Sequence, residues 1–252
     1  TGFTGSAALL LVTEAGLTFV TDGRYGEQAE AQLGAAGVEA EIEVSSTEQR
    51  RIVAAAVDAA SVTRLGLEAD AVTWSQQRAY DDTWFPAVDL VPTSGLVAAL
   101  RIRKDAGELA RIEAACAIAD AALAEVRPRL HEGLREVDFG LELDLAMRRL
   151  GADDVSFETI VASGRNGSKP HHRPSDRAIW EGDLVVLDFG ALLDGYHSDM
   201  TRTFVVGDPS PTQRRMYEVV YDAQAAGVEA VRAGVPAREV DEACRSVIED
   251  AG

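Results

Sequence analysis

Cysteine is nearly absent from this chain: Cys116 and Cys244 are its only two among 252 residues. They sit far apart in segments of helical periodicity, so the expected reading is two buried free thiols in a reducing compartment, with a disulfide between them the lesser alternative. Positive charge is scarce as well. The 24 Lys and Arg against 42 Asp and Glu leave a formal charge of −18. That balance excludes a phosphate backbone or an anionic membrane as partner, so neither nucleic acid nor membrane is expected. Long apolar runs are missing too: no stretch approaches the roughly 20 residues of a transmembrane helix, and no signal-peptide pattern is present. A cytoplasmic protein is the expectation. What remains is ample material for packed cores, with 46% hydrophobic residues.

The first ninety residues alternate strand and helix. The pattern predicts strands over 7–13 and 17–21 as a hairpin, a helix over 24–36 capped by Asp22, and a strand over 38–44. A helix over 47–60, a strand over 64–68 and a helix over 73–83 follow. A boundary is expected between Val91 and Asp105. Beyond it, Leu109, Ile112, Cys116, Ala119, Leu123 and Val126 form one apolar stripe at three- and four-residue steps, predicting the longest helix. A helix over 136–150, a strand over 155–162, a polar loop over 163–177 and a hairpin follow, then helices over 211–231 and 236–249.

The hairpin is the informative element. Asp194-Gly195 suits a type I′ turn, because both residues tolerate positive φ. With that turn centre, Asp188 faces Thr201 and Asp199 faces Gly190, so Asp188 and Asp199 share a face as diagonal neighbours. Asp188 lies within Val185-Val186-Leu187-Asp188-Phe189, a run expected to be buried, where a carboxylate needs a proton, a partner or a metal. Metal binding and simple solvation both remain open on these residues alone. Two carboxylates so placed can reach a metal pair about 3.5–4 Å apart. His171 and His172 precede the hairpin in a loop that can bring an imidazole over the same face. His197 shares parity with Asp199 and is a weaker candidate ligand; His131 reads as a surface residue.

These segments carry a resemblance. Phe157-Glu158-Thr159-Ile160-Val161-Ala162-Ser163-Gly164, Pro170-His171, Gly182-Asp183-Leu184-Val185-Val186-Leu187-Asp188-Phe189-Gly190 and Gly195-Tyr196-His197-Ser198-Asp199-Met200-Thr201-Arg202-Thr203-Phe204 resemble the proline-peptidase branch of the pita-bread metallopeptidases. That branch holds Xaa-Pro aminopeptidases and prolidases. Thr1-Gly2-Phe3-Thr4-Gly5-Ser6 and Thr21-Asp22-Gly23-Arg24-Tyr25 resemble its creatinase-like N-terminal domain. The fold class implied is an α/β creatinase-like N-terminal domain, partial, over 1–92. The first half of an α+β pita-bread catalytic domain follows over 105–252.

The resemblance implies metal-dependent hydrolysis of the bond between a first residue and proline. It implies Asp188 and Asp199 as ligands of two divalent ions, manganese foremost, and His171 as the group that contacts substrate and steadies the tetrahedral intermediate. Phe157 matches a position near the pocket wall, with ordinary core packing an equal reading. Xaa-Pro peptides or dipeptides are the implied substrates, and a homodimer the implied assembly. The pattern is completed elsewhere by one histidine and two glutamates lying further toward the C-terminus. No histidine follows His197 in this chain, and Glu218, Glu229, Glu239, Glu242 and Glu249 read as exposed helix residues. The chain is therefore expected to be a piece of a longer polypeptide, with an incomplete site and no activity by itself. The alternatives are a non-catalytic pita-bread binding or regulatory protein and a metal-free creatinase-like hydrolase.

Overall fold

A computed structural model describes residues 1–252, which divide into two compact units, Thr1–Arg103 and Lys104–Gly252. In the first, β1 (Ala8–Thr13) and β2 (Gly16–Thr21) form an antiparallel hairpin. The chain crosses through α1 (Gly26–Ala35) to β3 (Glu41–Val44), parallel to β2. Strand alternation sorts the two faces of β2. Phe19 packs with Ala29 and Leu33 of α1, while Val20 packs with Val53 and Val57 of α2 (Gln49–Ala59).

A second parallel pair, β4 (Arg64–Glu68) and β5 (Asp89–Thr93), is joined through α3 (Trp74–Ala79) and a π-helical segment over Tyr80–Trp84. The short helix α4 (Leu96–Arg101) ends the unit. β5 and α4 were not anticipated, because Pro92, Ser94 and Gly95 read as loop. Pro92 is tolerated in a strand that pairs only with β4. Asp22 does not cap α1: its carboxylate accepts from the Arg24 backbone N–H at 3.0 Å and pairs with the Arg24 guanidinium, leaving Tyr25 at the cap without a side-chain bond.

In the second unit, α5 (Ala106–Val126) and α6 (Glu136–Arg149) pack against β8 (Leu184–Phe189). Val185, Leu187 and Phe189 of β8 are fully buried against Leu123, Val126, Phe139, Leu143 and Met147. The buried stripe of α5 is Ala115, Ala119, Ala122, Leu123 and Val126, rotated from the expected one. Leu109 is therefore exposed, and so is Cys116, contrary to its reading as a buried thiol. Ala115, Ala119 and Ala122 on the inner face let neighbouring elements approach closely, while Ala114, Ala117, Ala121 and Ala124 stay exposed, so packing against α6 and the sheet and not alanine content fixes which face is buried. Both cysteines are free, with Cys244 partly buried.

The strand expected over 155–162 is broken into β6 (Asp154–Val155) and β7 (Ile160–Ser163). Beyond β8 come β9 (Ala191–Leu193), β10 (Tyr196–His197) and β11 (Met200–Val205), then α7 (Pro211–Ala230) and α8 (Ala237–Asp250), packed together. Two three-stranded sheets result, β7-β8-β11 and β6-β9-β10, both antiparallel. No helix is long and apolar enough to cross a membrane.

Candidate active site

The reversal forms at Asp194-Gly195, with φ of +48° and +77°, the left-handed pair that a type I′ turn demands. Pairing follows the expected register: Leu193 faces Tyr196, and Asp188 faces Thr201. Glu108 steadies the hairpin tip. One of its carboxylate oxygens accepts from the Asp105 N–H in the α5 capping box, and the other accepts from the Tyr196 hydroxyl at 2.7 Å.

The hairpin is not one flat ribbon. At Gly190 it passes from one sheet to the other: the Ser198 N–H donates to the Ala191 carbonyl, and the Ser156 N–H donates to the Gly190 carbonyl at 2.7 Å. Asp188 closes the straight half, and Asp199 stands just past the bend. The run around Asp188 is buried on one face only. Val185, Leu187 and Phe189 point into the core, whereas Asp188 is half-buried on the opposite face and Asp199 is exposed.

A cavity of about 470 Å³ collects these groups. It is lined by Phe157, Glu158, Ile160, His171, His172, Arg173, Asp188 and Asp199. Phe157, His171, Asp188 and Asp199, singled out in the sequence from four separate segments, thus meet in one place. Ile160 arrives beside Asp188 by direct cross-strand pairing. Phe157 and Glu158 arrive because the chain leaves the sheet between β6 and β7. His197 does not join them. It is exposed, with Nδ1 3.0 Å from the Ser156 hydroxyl, because the bend at Gly190 interrupts the parity that the strand pattern assumed. His131 is exposed, its ring nitrogen against the Glu132 carbonyl.

Neither aspartate has an ion-pair partner. Asp188 accepts one hydrogen bond, from the Thr201 hydroxyl at 2.9 Å, and Asp199 accepts none from protein. Two uncompensated carboxylates in a concave site suit a hard divalent cation, which takes oxygen donors. They fit as part of a donor set, since no group of three or more His, Cys, Asp or Glu side chains is arranged to hold a metal. Across the cavity rim Arg173 pairs with Glu158 at 3.0 Å, both side chains largely exposed. Such a pair contributes about 0–1 kcal/mol, so both side chains can exchange it for other charged partners.

The loop carrying His171 is held by a residue that the sequence did not disclose. Glu136, in the first turn of α6, is fully buried. Its Oε1 accepts from the backbone N–H and hydroxyl of Ser163 and from the Asn166 amide. Its Oε2 accepts from the N–H and hydroxyl of Ser175 and from Nε2 of His172 at 2.8 Å. Burial alone would push this carboxyl up, but the hydrogen bonds from Ser175, Asn166, Ser163 and His172 outweigh it and hold the group at about 2. An acid in a first helical turn ordinarily means a solvated dipole partner. Its donors Ser163, Asn166, His172 and Ser175 lie in a polar loop well beyond α6, and nothing next to Glu136 in the sequence marks it as their acceptor.

Comparison with known proteins places this geometry in context. Residues 110–252 match the model of "Metallopeptidase family M24", and residues 1–103 match that of "Creatinase/Prolidase N-terminal domain". An uncharacterized peptidase, YqhT, from Bacillus subtilis is 40% identical over 248 residues, covering 98% of this chain and 69% of that protein. The Xaa-Pro dipeptidase of Pyrococcus furiosus is 44% identical over 153 residues, covering 61% of this chain and 44% of that protein. Among solved structures, an Xaa-Pro dipeptidase from Bacillus anthracis superposes with a TM-score of 0.91 at 38% identity, covering 99% of this chain and 69% of that one. An X-Pro aminopeptidase from Thermotoga maritima does so at 0.88 and 30% identity, covering 99% and 68%.

Proposed function

Because this chain belongs to metallopeptidase family M24 and carries a creatinase/prolidase N-terminal domain, we propose that it serves an enzyme that hydrolyses the peptide bond between an N-terminal residue and proline. The substrates are peptides with proline in second position, with aminopeptidase action on longer chains foremost and dipeptidase action next. The observation that supports this most is the convergence of Phe157, His171, Asp188 and Asp199 on one cavity.

Asp188 and Asp199 would hold two divalent ions, manganese foremost. When bound, such ions supply Lewis acidity, lowering the pKa of water and polarising a carbonyl. The chain's own residues then bind and orient. Phe157 and Ile160 offer an apolar wall against which a proline ring can lose its water. Thr201 donates to Asp188 Oδ1, so that oxygen keeps one direction and the rest of the carboxylate faces the cavity. His171, which lines the same cavity, would donate a hydrogen bond to the oxygen of the carbonyl under attack, where negative charge develops. Glu158 and Arg173 present one charge of each sign at the rim, matching the ammonium and carboxylate of a short peptide.

Two aspartates alone are an incomplete donor set, so this chain by itself is expected to bind divalent ions weakly and to lack activity. The assembly expected of the active protein is a homodimer. The test is hydrolysis of Xaa-Pro dipeptides and Xaa-Pro-Yaa peptides by full-length protein with Mn²⁺, beside the same peptides with alanine for proline. Proline-selective release that is abolished by a chelator supports the reading. Equal cleavage of the alanine peptides, or no cleavage of either, overturns it, and the preferred peptide length separates aminopeptidase from dipeptidase.

A further inference from the structure

The loop between Ser163 and Arg177 has only one 3-10 segment of regular structure, over Gly164–Ser168, yet it must hold an imidazole in place for chemistry. We propose that Glu136 is the positioning residue of this site, fixing His171 over the aspartate pair by gripping the loop on both sides of it, with His172 as the nearest point of grip. The inference rests on the Xaa-Pro peptidase reading for what His171 does.

The grip has a definite topology. Glu136 binds the loop at Ser163 and Asn166 before His171, and at His172 and Ser175 after it. Between those points the loop closes on itself. The Lys169 ammonium donates to the Asn166 side-chain oxygen at 2.9 Å, and the His172 N–H donates to the Lys169 carbonyl at 3.2 Å. A ring of bonds therefore runs from Glu136 through Asn166, Lys169 and His172 back to Glu136, and Pro170-His171 lies within its span. Because a carboxylate only accepts, His172 carries its proton on Nε2. The outer side is braced too: Arg177 donates to the Ser163 hydroxyl at 2.5 Å and pairs with Asp183 at 2.6 Å.

Stability alone is a poor reason for this arrangement. A buried charge costs desolvation, and apolar replacements of buried ionic groups are often neutral or stabilising. What the carboxylate supplies instead is direction: six donors from four loop residues converge on two oxygens, so each of those residues has one place to be. Long irregular loops in compact domains are commonly functional, and a catalytic group on one needs support of this kind.

The experiment uses the full-length protein with Glu136→Gln, His172→Ala and His172→Gln, each also made with His171→Ala. In a Gln, one carboxylate oxygen becomes an amide that meets donors, so the grip is half lost with little change of volume. Should Glu136→Gln fail to fold, the His172 variants carry the test, because His172 lies outside the apolar core. His172→Ala should lower kcat/KM for an Xaa-Pro peptide roughly tenfold to a hundredfold, the size of effect that a displacement of about 1 Å produces. His172→Gln, which keeps a donor at similar reach, should recover most of it. In the His171→Ala background the same change should add less than about twofold, since it acts through a group already gone. Hydrogen exchange should quicken over 163–177 and in the first turn of α6, whose Glu136 and Val137 N–H groups donate to the Arg177 and Ser175 carbonyls, and stay unchanged in α5 and the rest of α6. Losses that multiply in the double variant, or a loop whose exchange does not respond, overturn the inference. If wild-type protein cleaves no Xaa-Pro peptide, the enzyme reading fails by itself, and the exchange measurement still decides whether Glu136 anchors the loop.

Discussion

Gly190 and Ser198 pass so closely that a Cβ built on Gly190 would lie 1.9 Å from the Ser198 carbonyl oxygen. That approach lets the hairpin cross from one sheet to the other, and it sets the offset between Asp188 and Asp199. Gly190→Ala cannot be relieved by a rotamer change, because the obstacle is backbone. The expected cost is at least about 1–3 kcal/mol, the usual range for forcing extra volume into a packed site. Divalent-cation binding by full-length protein should fall with it. A urea midpoint and a calorimetric Mn²⁺ titration check both, and a variant of wild-type stability and affinity would contradict this account of the bend.

The two aspartates should differ from their support. Asp188→Asn and Asp199→Asn each remove a charged donor, and each should weaken Mn²⁺ binding by more than the roughly 10–100-fold that loss of an outer hydrogen-bond partner costs. Thr201→Val removes such a partner, the hydroxyl 2.9 Å from Asp188, and its effect should fall within that range. Titration calorimetry on full-length protein ranks the three. Equal affinity in wild type and either Asn variant would remove that aspartate from the site.

Glu136 makes stability depend on acid. Its carboxyl sits at about 2 in the folded chain against an ordinary value of 4.5, so folding favours the ionised form. Relative to the protonated acid, the stabilisation from ionisation is complete above about pH 4.5, declines as pH falls from there toward about 2, and is on the order of 3 kcal/mol. Urea unfolding at about pH 3 and about pH 6 should show the loss, and in Glu136→Gln the difference between the two should shrink. An unchanged difference in the variant would mean other groups carry the acid sensitivity.

Asp194 and Gly195 test the turn. Gly195, at φ +77°, accepts no β-branched residue without strain. Gly195→Val should cost roughly 1–2 kcal/mol, the penalty of the left-handed region for a residue with a Cβ, whereas Asp194→Asn should be nearly neutral. Thermal melts of the two variants decide, and a Gly195→Val protein as stable as wild type would argue against a type I′ geometry.

Some of the fold was legible because its causes are local. The strand over 64–68 stands where expected, and the Asp194-Gly195 reversal forms with the register that brings Thr201 opposite Asp188. Turn chemistry and strand alternation act over a few residues, so neighbouring side chains suffice to state them. Other readings failed where distant contacts chose the outcome. Cys116 shares a plausible stripe with Ala119, yet α5 turns Ala115, Ala119 and Ala122 inward and leaves the thiol in solvent. His197 has the parity of Asp199, yet the hairpin bends between them and the cavity, so only Asp199 reaches it.

What this sequence determined by itself was the pair of aspartates, the turn that brings their strands together and the separate presence of Phe157 and His171. The aspartates and the turn depend on residue type and spacing, whereas Phe157 and the role of His171 are what the family resemblance implies. Only the tertiary structure decided that the ribbon bends at Gly190, that the chain leaves the sheet after Val155 and that Glu136 is buried under the loop it binds. The reason is physical. A carboxylate is stable away from water only where donors surround it, and the donors here come from Ser163, Asn166, His172 and Ser175, some 27 to 39 residues further along the chain.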